Sequence, residues 1–286
     1  MSMIETLRPV RSTVRFESSQ SGDAHWLHMH ADADNGVRPC FRPALMREMH
    51  ACLDTLCRTQ PAQPRQIRSL VLASDADAFN LGGDLEVFAA LIRRGDHQAL
   101  FDYARSCVDG VHRFHEGLDG SFRTIALLQG DALGGGLEMA LACHTIVAEE
   151  DVNMGLPEVL FGLFPGMGAY SYLTRRVSPQ LAEKLILEGR VYSSQEMHAM
   201  GIVDVLVPRG EGEDAVRELV RQQQRAPTAY RAMNAVRRLS SPVSYEELID
   251  ITRVWVDTAL LLEEKQLRVM DRLVKAQARR ATRQSA

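Results

Sequence analysis

The chain reads as an α/β fold with a helical C-terminal region, and three observations predict it. The runs Ile67 to Ala73 and Thr124 to Leu128 are largely apolar, the pattern of strands buried between helical layers. Two glycine clusters, Gly82-Gly83 and Gly134 to Gly136, each pass directly into apolar residues at helical spacing. Beyond residues 210–212 glycine and strand signals vanish and the periodicity is helical. A boundary near Pro208 therefore divides residues 1–208, an α/β core holding the candidate site, from a helical region at 209–286.

The elements follow in order. Residues 1–23 are polar and irregular, with one edge strand expected around Val14 to Phe16. Ala24 to His30 alternates about Trp26 and reads as a strand. A helix from Pro43 to Arg58 carries Leu45, Met49, Cys52, Leu53 and Leu56 on one face, and Pro61 and Pro64 break the chain after it. After the Ile67 strand, the loop SDADAFNLGGDL opens a helix with Leu85, Phe88, Ala89 and Ile92 at helical spacing. A long helix from Gln98 to Leu118 presents a packing stripe that includes Leu100, Cys107, Val111 and Phe114. His144 to Ala148 is a short strand, Pro165-Gly166 opens a loop into a helix, and Val203 to Val207 is the last strand. Ser178-Pro179 and the capping box Ser193 to Glu196 start helices. A second capping box, Ser244 to Glu247, opens a helix with Leu248, Ile251, Trp255 and Leu262 in register. That stripe is expected to pack against its own core or a sister subunit. The basic residues Arg272, Lys275, Arg279, Arg280 and Arg283 read as a solvated face.

Composition excludes several classes. A 45% hydrophobic, 24% charged chain of 286 residues is ordinary for a globular protein. No apolar run approaches the roughly 20 residues of a spanning helix, and the start lacks an apolar signal-peptide stretch, so no membrane insertion and a cytoplasmic location are expected. A net charge of -4 gives no reason to expect nucleic acid as a partner. The five cysteines contain no Cys-x-x-Cys pair and read as reduced thiols. His28 with His30, and His112 with His115, share faces without a third ligand, so no metal is expected. Neither is any cofactor.

Chemistry concentrates in residues 124–166. The strand, glycine turn and helix start expose backbone N–H groups that lack intrahelical partners, which suits an oxyanion. Glu138 lies in the first helical turn and Glu158 follows twenty residues on, after a Gly-Leu-Pro turn. Two carboxylates in one apolar pocket can divide acid and base roles, because burial and mutual repulsion separate their pKa values. Spacing alone also fits a dipole-stabilising glutamate and a plain turn.

GDALGGGLEMALACHTIVAEE followed by GLPEVLFGLFPGMGAY resembles the signature of the crotonase (enoyl-CoA hydratase/isomerase) superfamily, both glutamates at hydratase spacing. With FNLGGDL upstream and ITRVWVDTALLLEEKQLRVMDRLVKAQARR downstream, the chain resembles one branch of it, the diffusible signal factor synthases, over most of its length. The resemblance implies a repeated ββα spiral core, catalytic Glu138 and Glu158, and an oxyanion hole formed by the backbone N–H groups of Gly83 and Gly135. It also implies an acyl pocket lined by Leu133, Met167, Trp255 and Leu273, the helical region serving as pocket wall and in oligomerisation. Crotonases are commonly trimers or dimers of trimers, so a homo-oligomer is expected.

The implied reaction is dehydration of a 3-hydroxyacyl thioester to the cis-2-enoyl thioester, then hydrolysis that releases a cis-2-unsaturated fatty-acid signal. Glu158 would take the α-proton and Glu138 would protonate the departing β-hydroxyl. Ser74, Asp75 and Asp77 stand where many coenzyme A-dependent hydratases carry a basic residue, which favours an acyl carrier protein thioester as substrate. A sensor kinase is a further partner that the resemblance implies. An ordinary enoyl-CoA hydratase and a non-catalytic acyl-binding regulator are the alternatives. His144, beside a core strand, is expected to be structural.

Overall fold

A computed structural model of the chain describes residues 12–59 and 66–284, with side chains through residue 278. Pro61, Pro64 and the first eleven residues lie outside the described residues, as do the side chains of Arg279, Arg280 and Arg283. Strands β1 (Val14–Ser18) and β2 (Ala24–Met29) precede helix α1 (Pro43–Thr59), followed by β3 (Arg68–Ser74), β4 (Ala78–Asn80), α2 (Leu85–Arg94) and α3 (His97–Gly120). The middle of the chain supplies β5 (Phe122–Leu128), β6 (Asp131–Leu133), α4 (Gly135–Ala142), β7 (Thr145–Glu149) and β8 (Asn153–Gly155). Next come α5 (Ala169–Leu173), α6 (Pro179–Glu188), β9 (Val191–Ser193), α7 (Ser194–Ala199) and β10 (Val205–Val207). Four helices follow: α8 (Gly212–Arg225), α9 (Pro227–Ser240), α10 (Tyr245–Leu260) and α11 (Glu264–Gln284).

The strands sort into two sheets. The larger has the order β1-β2-β3-β5-β7-β10 and is parallel except for β1, which pairs antiparallel with β2. The smaller has the order β4-β6-β8-β9, with only β9 antiparallel. Each of β3, β5 and β7 enters the large sheet, and the short strand immediately after it enters the small one. A helix follows the first two of these pairs, giving the ββα spiral. Periodicity predicts the long strands but not β4, β6, β8 and β9, whose three residues are too few to show alternation.

The central strands β3 and β5 of the large sheet are buried on both faces, which is why they read as apolar runs, whereas the edge strand β1 is mostly exposed. Leu70, Leu72, Ala126 and Leu128 point into the main core with Phe41, Phe79 and Phe114. Val71, Ala73, Ile125 and Leu127 point the other way, where α8 covers them with Val216 and Val220. The first helix of the 209–286 region thus forms a layer on the sheet. Farther on, Trp255, Val256, Ala259, Leu267 and Met270 pack with Leu85, Ala89 and Ile92 of α2. The Trp255 stripe therefore meets its own chain, while Ile251 is only half-buried.

Caps behave largely as their residues dictate. Ser193 and Glu196 form a complete reciprocal box at α7. At α10, Ser244 accepts from the Glu247 N–H, but the Glu247 side chain accepts instead from Ser171 and Arg175, so only half of the predicted box forms. Helix α3 runs slightly past its predicted end and bends at Gly117 to Asp119, all with positive φ.

Candidate active site

The two glycine turns meet where the small sheet ends. Asn80 of β4 lies opposite Ala132 of β6, and a methyl group added at Gly136 would sit 2.0 Å from the Asn80 carbonyl oxygen. Only glycine permits so close an approach. The helix start is thereby held beside the Gly82-Gly83 turn: a methyl at Gly135 would lie 3.5 Å from the Gly83 nitrogen. Gly135 is the first residue of α4, so its N–H has no intrahelical acceptor. Among the described residues no hydrogen bond occupies the Gly83 N–H either.

A cavity of about 380 Å³ opens at this junction, within the range of roughly 300 to 1,000 Å³ usual for small-molecule sites. The structure brings all eight residues named from the sequence to its wall: Gly83, Gly135, Glu138, Glu158, Leu133, Met167, Trp255 and Leu273. Sequence reasoning missed other lining residues, among them Phe88, Cys107, Phe161 and Gln277. Phe88 and Phe161 lie on the apolar faces of local elements and look like ordinary core residues. Only the fold reveals that they border a space. Phe88 packs on Trp255 with ring centroids 4.9 Å apart, and the indole fits because residue 166 is glycine, where a methyl would come within 2.5 Å of the ring.

The two glutamates are both buried but are held differently. Glu138 projects from α4, and its Oε1 accepts hydrogen bonds from the Met167 N–H at 2.7 Å and the Ala169 N–H at 2.9 Å. Burial raises its pKa, while these two bonds partly oppose the shift by stabilising the carboxylate. Glu158 sits in a single 3-10 turn, Pro157–Phe161, with Oε1 against Gly134, where a methyl would clash at 2.6 Å. Its Oε2 is buried without any hydrogen-bond partner. Burial raises the Glu158 pKa first, and repulsion from Glu138 adds to it. Both carboxyls are thus held above the ordinary carboxylate range, and only Glu138 has backbone donors that oppose the shift.

Other candidates resolve into structural roles. His144 Nδ1 lies 2.7 Å from Thr124 Oγ1 and joins β5 to the start of β7, far from a catalytic task. His28 faces Asp75 at 3.3 Å, and His30 contacts Asn80. Among the described residues no group of three or more His, Cys, Asp or Glu side chains is placed to hold a metal. The acidic loop before the first glycine turn also looks different in place: Asp75 and Asp77 are both exposed, but Asp75 receives two hydrogen bonds from Arg15 that offset its charge, while Asp77 has no ion pair among the described residues.

Comparison with known proteins agrees with this geometry. The enoyl-CoA hydratase/isomerase family matches residues 36–253, and the chain belongs to that family. It is 34% identical over 149 residues to the peroxisomal fatty acid beta-oxidation multifunctional protein AIM1 of Arabidopsis thaliana, covering 52% of this chain and 20% of that protein. It is 32% identical over 161 residues to a probable enoyl-CoA hydratase of Bacillus subtilis (strain 168), covering 56% of this chain and 58% of the relative. The chain thus spans only a fifth to three-fifths of these two relatives. An enoyl-CoA hydratase/isomerase structure from Xanthobacter autotrophicus Py2 superposes with a TM-score of 0.73 at 19% identity over 96% of this chain and 97% of that one, a likeness of fold.

Proposed function

We propose that the chain interconverts 3-hydroxyacyl and 2-enoyl thioesters. The observation that carries this is the buried, unpartnered Oε2 of Glu158, in one cavity with an amide-anchored Glu138 and two glycine turns. The N–H groups of Gly83 and Gly135 receive the thioester oxygen as negative charge develops on it, each worth about 3 to 4 kcal/mol by the behaviour of other oxyanion holes. For hydration, Glu138 as carboxylate takes a proton from water while Glu158 delivers its proton to the α-carbon. For dehydration the same atoms work in reverse: Glu158 takes the α-proton and Glu138 protonates the departing β-hydroxyl. No cofactor enters this scheme. Replacement of either glutamate by glutamine removes one proton-transfer group, and near wild-type turnover in either variant would sink the scheme.

The finer reading is that the dehydrated product is a cis-2-enoyl thioester, which a water molecule activated by a glutamate then hydrolyses to the free acid. The same two amides would hold the tetrahedral oxyanion. The apolar wall of Leu133, Met167, Trp255 and Leu273 supports a fatty-acyl substrate. Asp77 supports an acyl carrier protein as donor, and the sensor kinase belongs to the same reading. Neutralisation of Asp75 by Arg15 favours the second reading, an ordinary enoyl-CoA hydratase. Mass spectrometry of products from 3-hydroxydodecanoyl carrier protein and its coenzyme A counterpart separates them: free cis-2-dodecenoic acid supports the first, and an enoyl thioester alone supports the second. A homo-oligomer is proposed from the exposed Met233, Val236 and Leu239 along α9, and sedimentation measures it.

A further inference from the structure

The Gly83 N–H can serve as a donor only if the peptide that carries it is held still, and three contacts surround that peptide. Its carbonyl half, Gly82 O, accepts from the Phe41 N–H at 2.8 Å. In a trans peptide the N–H points opposite the C=O, so this bond turns the Gly83 N–H away from Phe41 and polarises it. On the far side, Tyr103 Oη accepts from the Asp84 N–H at 2.8 Å and donates to the Phe41 carbonyl. On the near side, Asn80 Oδ1 accepts from the Gly82 N–H at 2.8 Å. Gly82 has φ +94, a conformation glycine adopts freely, so the residue itself offers little resistance to turning.

Asn80 is fully buried, and its orientation is fixed in turn. With Oδ1 taken by the Gly82 N–H, its Nδ2 is the donor to His30 Nε2 at 3.1 Å. His30 is buried, sits at φ +61, unusual for a residue with a side chain, and burial keeps its imidazole neutral, the pKa pushed down to about 3. A neutral ring can leave Nε2 as the acceptor that Asn80 needs. The Asn80 backbone carbonyl meanwhile abuts Gly136 of the second turn. One residue touches both halves of the oxyanion hole.

We infer that Asn80, oriented by His30, is a positioning residue that aims the Gly83 N–H at the thioester oxygen. It never touches substrate and acts through the Gly82-Gly83 peptide. The inference rests on the proposed oxyanion role of Gly83. Loss of the Asn80 carboxamide frees Gly82 to rotate, and a misaligned donor costs more in the transition state, where the oxygen is charged, than in the bound ground state.

Three measurements on the full chain test it: kcat and KM for hydration of a 2-enoyl thioester, thermal stability, and the isotope-edited infrared carbonyl stretch of bound S-dodecanoyl-pantetheine. Asn80→Ala should lower kcat roughly 10- to 100-fold with KM nearly unchanged, and should move the carbonyl stretch toward its value in water. Asn80→Asp, which keeps an oxygen for the Gly82 N–H, should regain most of the loss. His30→Ala should show a smaller loss of the same kind, and carries the test if Asn80→Ala does not fold. A folded Asn80→Ala or His30→Ala protein with kcat within twofold of wild type and an unmoved stretch overturns the inference. A polarised carbonyl that depends on Asn80 in a protein without turnover would uphold the inference and defeat the proposed reaction. The converse result would do the opposite.

Discussion

The polar and apolar halves of the cavity are built from different parts of the chain and held by different forces. The polar half comes from residues 80–169 and is held by backbone groups: Met167 and Ala169 N–H on Glu138, Gly136 against the Asn80 carbonyl and, from outside that span, Phe41 N–H on the Gly82 carbonyl. The apolar half is side-chain packing between α2, α10 and α11, centred on Phe88 and Trp255, with Arg93 on the surface paired to Glu264 and Asp271. Backbone contacts define one arrangement and tolerate little change. Side-chain packing can be resized. The molecule thus keeps the proposed chemistry fixed while leaving the apolar wall adjustable, and four perturbations probe that contrast.

The largest effect is expected at the glutamates. Glu158→Gln and Glu138→Gln should each lower kcat roughly 10² to 10⁴-fold, with the fold retained by circular dichroism. If either loss were instead confined to KM, the polar half would be a binding surface rather than a catalytic one.

Next is the pH response of the same pair. Both carboxyls have raised pKa values in the folded chain, so between the unfolded value and the folded one the native state holds protons that the unfolded state releases. Their contribution to stability is present in full at low pH and is lost as pH rises through the folded pKa values. Glu158→Gln should therefore melt higher than wild type at alkaline pH and little differently near pH 4, a comparison calorimetry can make. Activity should follow a bell whose acid limb lies above the ordinary carboxylate range, because the proposed reaction needs Glu138 as carboxylate and Glu158 as acid, and both carboxyls titrate high.

In the apolar half, Trp255→Ala should cost about 3 to 5 kcal/mol of stability by leaving a void beside Phe88 and Gly166. It should shift substrate preference toward longer or branched acyl chains without abolishing kcat, read from specificity constants across an acyl series. Unchanged chain-length preference would place the acyl group elsewhere. The smallest effect belongs to Arg93→Ala. Its partners are half-exposed and water screens the pair, so the midpoint of a denaturant titration should barely move.

Much of the site was legible in the sequence because its chemistry lies in short, uninterrupted segments. The glycine run with Glu138, the Pro157-Glu158 turn and FNLGGDL each carry a local signal that survives without the fold. The sense of the acidic loop was not legible, since Arg15 is sixty residues from Asp75 and only the pairing of β1 with β2 beside β3 brings them together. Asn80 was equally hidden. Within its loop it looks like a turn residue, and its partners are a histidine fifty residues upstream and a glycine fifty-six residues downstream.

By itself the sequence determined the α/β class, the long strands of the large sheet and most helices, because periodicity, caps and glycine turns are encoded by neighbours along the chain, while the two glutamates stood out only through the resemblance of their segment to a known family. Tertiary structure alone decided the small sheet, the different anchoring of Glu138 and Glu158, and the joining of α2 with α10 and α11 around one cavity. Those features depend on contacts between distant segments, which come into range only when the spiral and its helices pack.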